Sequence, residues 1–537
     1  MSDETWSVST TFYYETQIAN EIPIPKPSWT FPSPFLPYAV ATYIASDAIA
    51  WGPQPRTASR ASDRNGAKKL FDQQADLRVE ERLTVNMVNY VLTELAAYSR
   101  LSDPETGIEC GPFDAIWYSD CLIPSDVADR LRAAISKLED VPDALKDWHP
   151  GSNDQVLDLV HPSLYCIVYD RTEDTSFEHL TPPLPPPPID DVQTYAKNSM
   201  SDQFCWLPSD FFVNSTDGQI NGQDQDLYRD VTPGSGRIKV QRTFGTWAAY
   251  SAKFAGISVP CIWDKGEVKW QDGMTRKQYQ KACEEAPKVL PEAFEEYTGE
   301  LEKTIVPYSL RGKTIQCIIK LANIHLTTEN PEYEGGSWHV EGMLNERIVA
   351  SGIYYYEEEN IDESELAFRV TTGAPVYHKQ DDEMCMHILY GLQRDTHCCQ
   401  DLGSIRTSAG RALAWPNIYQ HRVSPFSLQD PTKPGHRKIL AIFLVDPSVD
   451  PIPSATNVPP QQADWAAEVL EEARCDPTSA YSRLPPELSN EILARFPDTF
   501  VSRAEAEEYR LALMKERTRF VKVHGRELKH SFNMCEH

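Results

Sequence analysis

The chain has 537 residues, enough for about two to four domains or for one β-domain wrapped in helical extensions. Hydrophobic residues make up 41% and aromatic residues 10% of the sequence, a composition that excludes a wholly disordered chain. The formal net charge of -28 argues against nucleic acid or acidic lipid as a partner, because Lys and Arg would have to hold either one.

The sequence also predicts the cellular setting. The first residues are polar and acidic and lack the basic start and apolar core of a signal peptide. We therefore expect a cytoplasmic protein, with the nucleus as the alternative, whose 12 cysteines are reduced thiols. The absence of a CxxC pair argues against a structural zinc site. No apolar run reaches the roughly 18 residues that a membrane span needs, so no membrane partner is expected.

Proline content and hydrophobic spacing divide the N-terminal half into two predicted parts. Residues 1–75 are rich in proline and predict an extended arm. Residues 76–304 predict a mostly helical covering region, with apolar residues at helical spacing after Thr84 and again after Ser125. Within this region, the proline run at residues 182–188 predicts a stiff connector in polyproline II conformation.

At Thr314 the hydrophobic period changes from helical to strand-like. Further strand-like runs follow at residues 347–356, 366–370, 412–415 and 439–445, separated by acidic or Gly/Pro turns. Many short strands at this spacing predict a sandwich or barrel, which we place at residues 305–450. Residues 451–537 predict a helical extension, with helices at residues 465–474 and after Ser502, where Glu505 completes a capping box. The expected fold class is α+β.

Candidate metal ligands lie within the strand-rich segment. His339 and Glu341 follow a glycine pair, and residues two apart in a strand project from the same face. His421 stands several predicted strands later and is the candidate third ligand. Two histidines and one carboxylate suit Fe(II) and leave coordination positions open, which an oxygenase needs for a 2-oxo acid and O2.

Arg437 opens the apolar strand at residues 438–445, and its guanidinium can bind the distal carboxylate of 2-oxoglutarate through two charge-assisted hydrogen bonds. The neighbouring Lys438 should face the other way. Asn323 is a further candidate for the pocket. Tyr354 shares a strand face with Tyr356 and is a candidate either for contact with 2-oxoglutarate or for the barrel core.

Asp158 and His161 form a second, smaller pair of candidate ligands. They lie in the predicted covering region, apart from the strand-rich segment that holds the other candidates. A structural role is therefore the favoured interpretation of this pair.

The ordered set of His339, Glu341, His421 and Arg437 resembles the Fe(II)/2-oxoglutarate-dependent oxygenases, which fold as a double-stranded β-helix of the jelly-roll or cupin type. More closely, the chain resembles DUF4246, a large fungal family of unknown function. The segments that carry this resemblance are DWHPGS from Asp147, VLDLVHPSLY from Val156, GGSWHVEG from Gly335, WPNIYQH from Trp415 and FLVDP from Phe443. It implies a central double-stranded β-helix between helical N- and C-terminal regions. It also implies Fe(II), 2-oxoglutarate and O2, with the three ligands on the metal and Arg437 on 2-oxoglutarate. The wider superfamily usually has Asp where this chain has Glu341.

The resemblance implies a dioxygenase that oxidises a C–H bond of a small molecule by hydroxylation, desaturation or oxidative cyclisation. A surplus of cations near the predicted site suggests a carboxylate-bearing substrate, such as an amino acid of fungal specialised metabolism. These cations are Arg347, Arg411, Arg422, Arg437 and Lys438. Three alternatives stay open: a protein hydroxylase, a catalytically inactive metal-binding or scaffold protein, and a zinc hydrolase. The sequence predicts no oligomeric state.

Overall fold

The computed structural model describes residues 102–110, 116–176, 178–183, 200–214, 220–222, 240–241, 270–285, 307–308, 310–371, 394–395, 399–417, 419–494 and 500–527. The predicted arm at residues 1–75, the helix predicted after Thr84 and most of the proline-rich connector lie outside these residues. Among the described helices, none combines the length and the apolar composition that a membrane crossing requires.

The described residues form a mixed α/β structure with antiparallel sheets. The strands are β1 (Glu109–Cys110), β2 (Trp117–Ser119), β3 (Val156–Val160), β4 (Ile167–Val168), β5 (Phe204–Cys205), β6 (Ser209–Val213), β7 (Ile220–Gly222), β8 (Val240–Gln241), β9 (Pro307–Tyr308), β10 (Thr314–Leu326), β11 (Glu332–Tyr333), β12 (Ile348–Glu359), β13 (Ser364–Thr371), β14 (Cys399–Thr407), β15 (Ala412–Pro416), β16 (Gln420–Val423), β17 (Phe426–Ser427) and β18 (Gly435–Val445). The helices are α1 (Ser125–Glu139), α2 (Arg276–Glu285), α3 (Ala463–Cys475), α4 (Pro486–Ala494) and α5 (Arg503–Glu527).

The largest sheet has nine strands, and its path runs β1-β2-β15-β12-β18-β10-β6-β7, with β3 paired to β10 beside that path. The long strand β18 lies at its centre, between β10 and β12. The strands predicted from Thr314 onward are confirmed. The covering region was expected to be mostly helical, yet it adds β1, β2, β3, β6 and β7 to this sheet. These strands have five residues or fewer, too short to show a period of their own in the sequence.

A second sheet has three strands in the order β14-β13-β16. The chain passes repeatedly between the two sheets, since β12 and β15 belong to the large sheet, β13, β14 and β16 to the small one, and β18 to the large one again. Aromatic and aliphatic side chains from both sheets pack in one core. Tyr355 and Trp415 come from the large sheet, and Leu366 and Phe368 from the small sheet. An apolar core therefore joins the two sheets.

Helix α1 covers the opposite face of the large sheet. It was predicted after Ser125 and is confirmed at Ser125–Glu139. Its buried residues Ala128 and Ile135 pack on Leu321, Tyr354 and Tyr356 of the sheet. Residues that alternate along the sheet strands therefore divide between the interior and the surface under α1.

The C-terminal helix α5 is fastened to the body of the protein by charged side chains. Arg510 is buried and makes two hydrogen bonds to the carboxylate of Asp147, at 2.7 and 2.8 Å. Arg517 donates to the Glu346 carboxylate at 2.6 Å and lies over the Trp206 ring, 3.6 Å from its centroid. Glu346 is 1% exposed and also accepts hydrogen bonds from two backbone amides. The loop that follows Glu341 is therefore tied to α5 through a buried ion pair.

Replacing Arg517 with Met should lower the free energy of unfolding by about 3 kcal/mol, because it leaves the buried Glu346 carboxylate without its counter-ion. The measurement is urea unfolding followed by circular dichroism. Arg474→Met is the matched control, since Arg474 pairs with Glu471 on the surface of α3 and its loss should leave the unfolding midpoint unchanged. An equal midpoint for the Arg517 variant and the wild type would contradict the buried tie.

The described cysteines agree with the expectation of reduced thiols. Cys166, Cys205, Cys317 and Cys475 are free thiols. Burial raises the pKa of Cys166 and of Cys317 to about 12, so neither is a reactive thiolate near neutral pH.

Candidate metal centre

His339 and His421 are brought together by their own backbones. The amide of His339 donates to the carbonyl of His421 at 3.2 Å, and the amide of His421 donates to the carbonyl of His339 at 3.0 Å. This isolated antiparallel rung extends the small sheet beyond β16. Side chains directly opposite in such a pair project from the same face. The two imidazole rings accordingly lie with their centroids 4.4 Å apart.

Gly335 allows the strand that carries His339 to approach β16 this closely. Its φ is +87°, a left-handed conformation, and a Cβ there would lie 2.7 Å from the Val423 carbonyl oxygen. The following amide of Gly336 donates to that same carbonyl at 2.9 Å. Only glycine fits both the conformation and the contact, which gives a structural reason for the glycine turn before His339.

Glu341 joins the two histidines in one cluster. Its Oε1 lies 3.5 Å from Nε2 of His339 and 3.3 Å from Nε2 of His421. All three donor atoms lie within 4.8 Å of one another. Metal bonds of about 2.1 Å at right angles would place neighbouring donor atoms about 3 Å apart. The cluster is therefore of the size that one metal ion requires.

The protonation states also suit a metal. Nδ1 of His339 lies 2.7 Å from the Ser337 carbonyl, so Nδ1 carries the proton and Nε2 points its lone pair at the cluster. Burial lowers the pKa of His421, and positive charge on His339 lowers it further. Burial lowers the pKa of His339 as well, but the adjacent Glu341 carboxylate outweighs burial and raises it, so metal binding would displace any proton from Nε2 of His339. Burial raises the pKa of the Glu341 carboxyl, but the two adjacent imidazoles outweigh it and hold that pKa well below its usual range. The cluster therefore offers a carboxylate and imidazole nitrogens.

Asn417 holds the backbone of Glu341 on both sides. Its Oδ1 accepts from the Glu341 amide at 2.8 Å, and its Nδ2 donates to the Glu341 carbonyl at 2.8 Å. Nδ2 also donates to the Ile348 carbonyl at 3.1 Å. The Asn417 side chain thus makes the two backbone hydrogen bonds that a neighbouring strand would otherwise make. These bonds fix the direction in which the Glu341 side chain leaves the backbone.

Asn417→Ala should lower the affinity for Fe(II) by roughly 10- to 100-fold, the usual range for losing a group that orients a metal ligand. The readout is anaerobic competition of the protein against a coloured Fe(II) chelator. Asn360→Ala is the control, because Asn360 makes a similar set of backbone hydrogen bonds away from the cluster, to the carbonyls of residues 430, 433 and 434. Equal losses in the two variants would mean that the Asn417 effect comes from general destabilisation.

The interior wall connects the cluster with Arg437. Trp415 meets the His421 ring edge-on, with centroids 4.9 Å apart. Trp415 packs in the same core as Tyr355. The guanidinium carbon of Arg437 lies 5.5 Å from the centroid of Tyr355 and 4.3 Å from that of Phe426. Arg437 therefore faces the same interior as the metal-binding candidates.

Arg437 is 1% exposed and carries an unusual set of unsatisfied groups. Within the described residues, none of its three guanidinium nitrogens has a hydrogen-bond acceptor. The carboxylate of Glu358 is near, with 3.7 Å between Nε and Oε2, but no hydrogen bond joins them. Burial lowers the pKa of Arg437, yet a guanidinium stays protonated at any physiological pH. A buried fork of donors without acceptors is suited to a planar anion such as a carboxylate.

Two predicted pocket residues lie on the other face of the sheet. Asn323 donates to Glu139 of α1 at 2.6 Å and accepts from Tyr356 at 2.9 Å, so its amide is occupied beneath the helix. Tyr354 packs in the cluster beneath α1. Asn323, a candidate for the pocket, and Tyr354, a candidate for 2-oxoglutarate contact or for the core, thus lie on the sheet face opposite Arg437. Tyr355 is the tyrosine on the Arg437 side.

A bulge in β12 places Tyr355 on the same face as Arg437. In the pairing of β12 with β18, Tyr355 is opposite Ile439 and Glu358 is opposite Arg437, and the register shifts between Tyr355 and Glu357. The bulge changes the alternation, so Tyr355 and Glu358 share a face although they are three residues apart. The position of Tyr355 on the Arg437 face therefore follows from the strand pairing and cannot be obtained from alternation along β12 alone.

Four of the five cations predicted to crowd the site are bound elsewhere. Arg411 makes a bidentate pair with Asp120, and Lys438 binds Glu139 and Glu357 on the α1 face. Arg422 lies over the Trp338 ring at 4.8 Å, and Arg347 donates to the Asp450 carbonyl. The opposite orientation of Lys438 and Arg437 is as predicted, but the expected surplus of cations is reduced to Arg437 itself.

The model of the family described as "Protein of unknown function (DUF4246)" matches residues 85–228 and 234–469 of the chain. The two matched segments contain His339, Glu341, His421 and Arg437. No curated protein matches the sequence.

Several solved structures resemble parts of the chain. The Fe(II)/α-ketoglutarate-dependent dioxygenase TqaL is 14% identical with a TM-score of 0.18, and the match covers 32% of this chain and 64% of that one. EvdO2 from Micromonospora carbonacea var. aurantiaca, in a complex with 2-oxoglutarate, is 17% identical with a TM-score of 0.14, and covers 26% and 56%. IDO from Bacillus thuringiensis is 10% identical with a TM-score of 0.16, and covers 26% and 48%. The chain thus spans less than two thirds of each, and similarity this low carries no argument about activity.

Proposed function

This chain belongs to the DUF4246 family, and we propose that it is a non-haem Fe(II)/2-oxoglutarate-dependent dioxygenase that oxidises a C–H bond of a small molecule. One observation carries the proposal: a cluster of two imidazoles and a carboxylate shares an interior with a buried arginine whose donors find no acceptor among the described residues. A metal alone would explain the cluster, but it would leave Arg437 without a task. A 2-oxo dicarboxylic acid that chelates the metal would explain both.

We further propose that the two sheets are the walls of a double-stranded β-helix. Strands β10, β18, β12 and β15 lie side by side in one sheet, and β14, β13, β16 and the His339 rung lie side by side in the other. The chain alternates between the sheets as a jelly roll does. In this arrangement His339, Glu341 and His421 belong to the small wall and Arg437 to the large wall, which faces them.

The residues of the chain fit the proposed groups. His339, Glu341 and His421 would hold the iron on one side and leave its other side open. Arg437 would bind the distal carboxylate of 2-oxoglutarate through its unsatisfied fork, and Tyr355 and Phe426 would fix the plane of the guanidinium.

Bound iron would supply the activation of O2 and the oxidising power, while the protein supplies position and exclusion of water. Trp415, Phe368 and Tyr355 form the dry wall beside His421. Trp415 and Tyr355 are each 2% exposed, so this wall is shielded from bulk water. Hydrophobic exclusion of this kind protects a reactive centre from side reactions.

The test is anaerobic addition of Fe(II) and then 2-oxoglutarate to the full chain. A visible metal-to-ligand charge-transfer band should appear in the wild type and be lost in His339→Ala. His436→Ala is the matched control, since His436 binds Glu357 on the sheet face opposite Arg437 and its loss should leave the band intact. A protein that binds a metal but not 2-oxoglutarate, or a zinc hydrolase, would give no such band, and that result would overturn the proposal; a band without succinate formation in air would instead indicate a catalytically inactive protein. On admission of O2, 2-oxoglutarate should be converted to succinate.

A further inference from the structure

The large wall carries a second group of polar side chains that the proposed reaction does not use. On the interior face of this sheet, residues paired across neighbouring strands form rows that we call rungs. One rung joins Ile353, Ala441 and Lys320. The next joins Tyr355, Ile439, Ala322 and Asp158, and a third joins Glu358, Arg437, Ile324 and Val156. Lys320 and Asp158 therefore stand on adjacent rungs of the face that also carries Arg437.

Lys320 is half-buried and presents a free cation on this face. No hydrogen bond or ion pair reaches its ammonium from the part of the chain that the structure describes. Its charge lowers the pKa of both His161 and His339. Lys320 is therefore within electrostatic reach of both histidines. Its neighbours across and along the sheet on this face, Ala441 and Ala322, have small side chains.

Asp158 is a buried carboxylate with one oxygen unaccounted for. Its side chain is 0% exposed, and Oδ2 accepts from Nδ1 of His149 at 2.7 Å. Oδ1 is buried and has no donor among the described residues. An unsatisfied buried carboxylate oxygen costs free energy, so a retained one calls for a partner that comes from outside the chain.

His161 completes the group as a neutral donor. Its Nδ1 accepts from the Ser163 amide at 3.2 Å, so the proton of the neutral ring is on Nε2. Burial lowers the pKa of His161, and the charges of Lys320 and His149 lower it further, so the ring stays neutral. The donor atoms of His149, Asp158 and His161 lie within 4.8 Å of one another, which is also the spacing of a metal site. A protonated Nε2 has no lone pair for a metal, however, and this tautomer disfavours that use.

We propose that Lys320, His161 and Asp158 form a binding subsite for the headgroup of a free α-amino acid, which would be the substrate of the proposed oxygenase. Lys320 and Nε2 of His161 bind its carboxylate, and Oδ1 of Asp158 accepts from its ammonium. That this amino acid is the substrate rests on the proposed function, but its binding to the subsite can be tested independently of that function. One cation, one neutral donor and one anionic acceptor together match a zwitterion, whereas a plain carboxylate or a plain amine would leave one group unsatisfied.

The position of the subsite fits this role. It lies on the rungs that follow Arg437 along the same face, so 2-oxoglutarate at Arg437 and an amino acid at Lys320 would occupy different parts of one interior. The side chain of the amino acid would then extend toward the small wall, where the metal cluster lies. A headgroup fixed at two charged points holds one part of that side chain at the metal, which is how binding directs oxidation to one C–H bond.

The test begins with binding of the proteinogenic L-amino acids to the full chain, by thermal shift and then by calorimetry. Each ligand is compared with the amine that lacks its carboxylate and with the 2-hydroxy acid that lacks its ammonium. At least one amino acid should stabilise the wild type, and its two analogues should bind much more weakly. Lys320→Met and Asp158→Asn should each weaken its binding by about tenfold or more, because each removes a charged partner.

The controls separate this subsite from the fold and from the proposed reaction. Lys433→Met and Asp154→Asn change exposed charges and should leave amino-acid binding unchanged; Asp154 has a φ of +55°, which asparagine tolerates. Lys320→Met and Asp158→Asn should keep the charge-transfer band with Fe(II) and 2-oxoglutarate. If the wild type lacks that band but binds an amino acid through Asp158, the oxygenase is refuted and the subsite stands.

Three results would overturn the subsite. The first is that no proteinogenic amino acid binds. The second is that the protein takes up a second equivalent of Fe(II), Mn(II) or Zn(II) that Asp158→Asn abolishes, which would make the group a metal site. The third is that Lys320→Met weakens 2-oxoglutarate while amino-acid binding is unchanged, which would assign Lys320 to the co-substrate.

Discussion

Replacing Arg437 with Met should abolish the binding of 2-oxoglutarate while leaving the protein as stable as before or more stable. The loss should reach roughly 30-fold or more in affinity, because truncating one partner of a buried, hydrogen-bonded charge pair usually costs about 2 to 5 kcal/mol. The measurement is titration of the Fe(II)-loaded protein with 2-oxoglutarate, read by the charge-transfer band. Arg437→Lys should recover only part of the affinity, since an ammonium cannot form a two-pronged contact.

The stability arm distinguishes a binding residue from a structural one. A buried arginine with a structural role has its guanidinium paired with neighbouring acceptors, and removing it leaves those acceptors buried without a partner. Arg437 has no acceptor among the described residues, so its removal frees the fold from a desolvated charge. Burial already raises the pKa of the Glu358 carboxyl, and losing the nearby Arg437 cation would raise it further, which makes neutralisation of Glu358 easier. Arg422→Met, on the other side of the small sheet, is the matched control for binding. A large fall in the unfolding midpoint of Arg437→Met would contradict the assignment.

Replacing Glu341 with Gln should reduce the affinity for Fe(II) by more than the ~100-fold that losing an orienting neighbour can cost, because the change removes the anionic ligand itself. The amide keeps the shape of the side chain, so the rung between His339 and His421 and the clamp of Asn417 on the backbone should persist. Competition against an Fe(II) chelator and metal analysis of the purified protein provide the readout.

Glu341→Asp asks whether the longer side chain is required. The carboxylate now reaches within 3.3 and 3.5 Å of the two imidazoles from a backbone held by Asn417. Removing one methylene would draw the oxygen back from both nitrogens. We therefore expect affinity between those of the wild type and Glu341→Gln. Wild-type affinity in Glu341→Gln would show that the carboxylate is not a ligand, and Glu365→Gln, which changes an exposed carboxylate, should have no effect.

Much of the candidate site was accessible from the sequence because period two in a strand is a local property. Alternation along β18 separated Arg437 from Lys438, and the structure places Lys438 under α1 while Arg437 is in the interior. Alternation also predicted that His339 and Glu341 project together; they do meet, but only His339 forms a strand-like rung, and Glu341 lies in the bend that follows. The starts of α1 and α5 and the position of α3 followed from helical spacing and from the Ser502 cap, whose hydroxyl accepts from the Glu505 amide at 3.2 Å. These signals depend on neighbours within a few residues.

The remainder depended on pairings that no local pattern encodes. Alternation in β10 shows that Asn323 and Ala322 face opposite sides of the sheet, but not which side is the interior. The contact that settles this, with Glu139 on α1, joins residues far apart in the sequence. Tyr355 required knowledge of a bulge in β12. Lys320 and Asp158 become neighbours only because β3, from the covering region, pairs with β10. The cations Arg411 and Arg422 were counted for the site because sequence proximity cannot tell which side of a sheet a side chain occupies.

The attachment of α5 has a consequence for the order of folding. The pair between Arg517 and Glu346 spans 171 residues of chain, and the pair between Arg510 and Asp147 spans 363. Contacts this distant form late, since a long loop must close before they contribute. During synthesis, Glu346 and Asp147 leave the ribosome well before their arginines, so the loop after Glu341 stays untied until α5 arrives. A chain halted before α5 should therefore expose two carboxylates that the finished protein buries and be a target for chaperones and proteases.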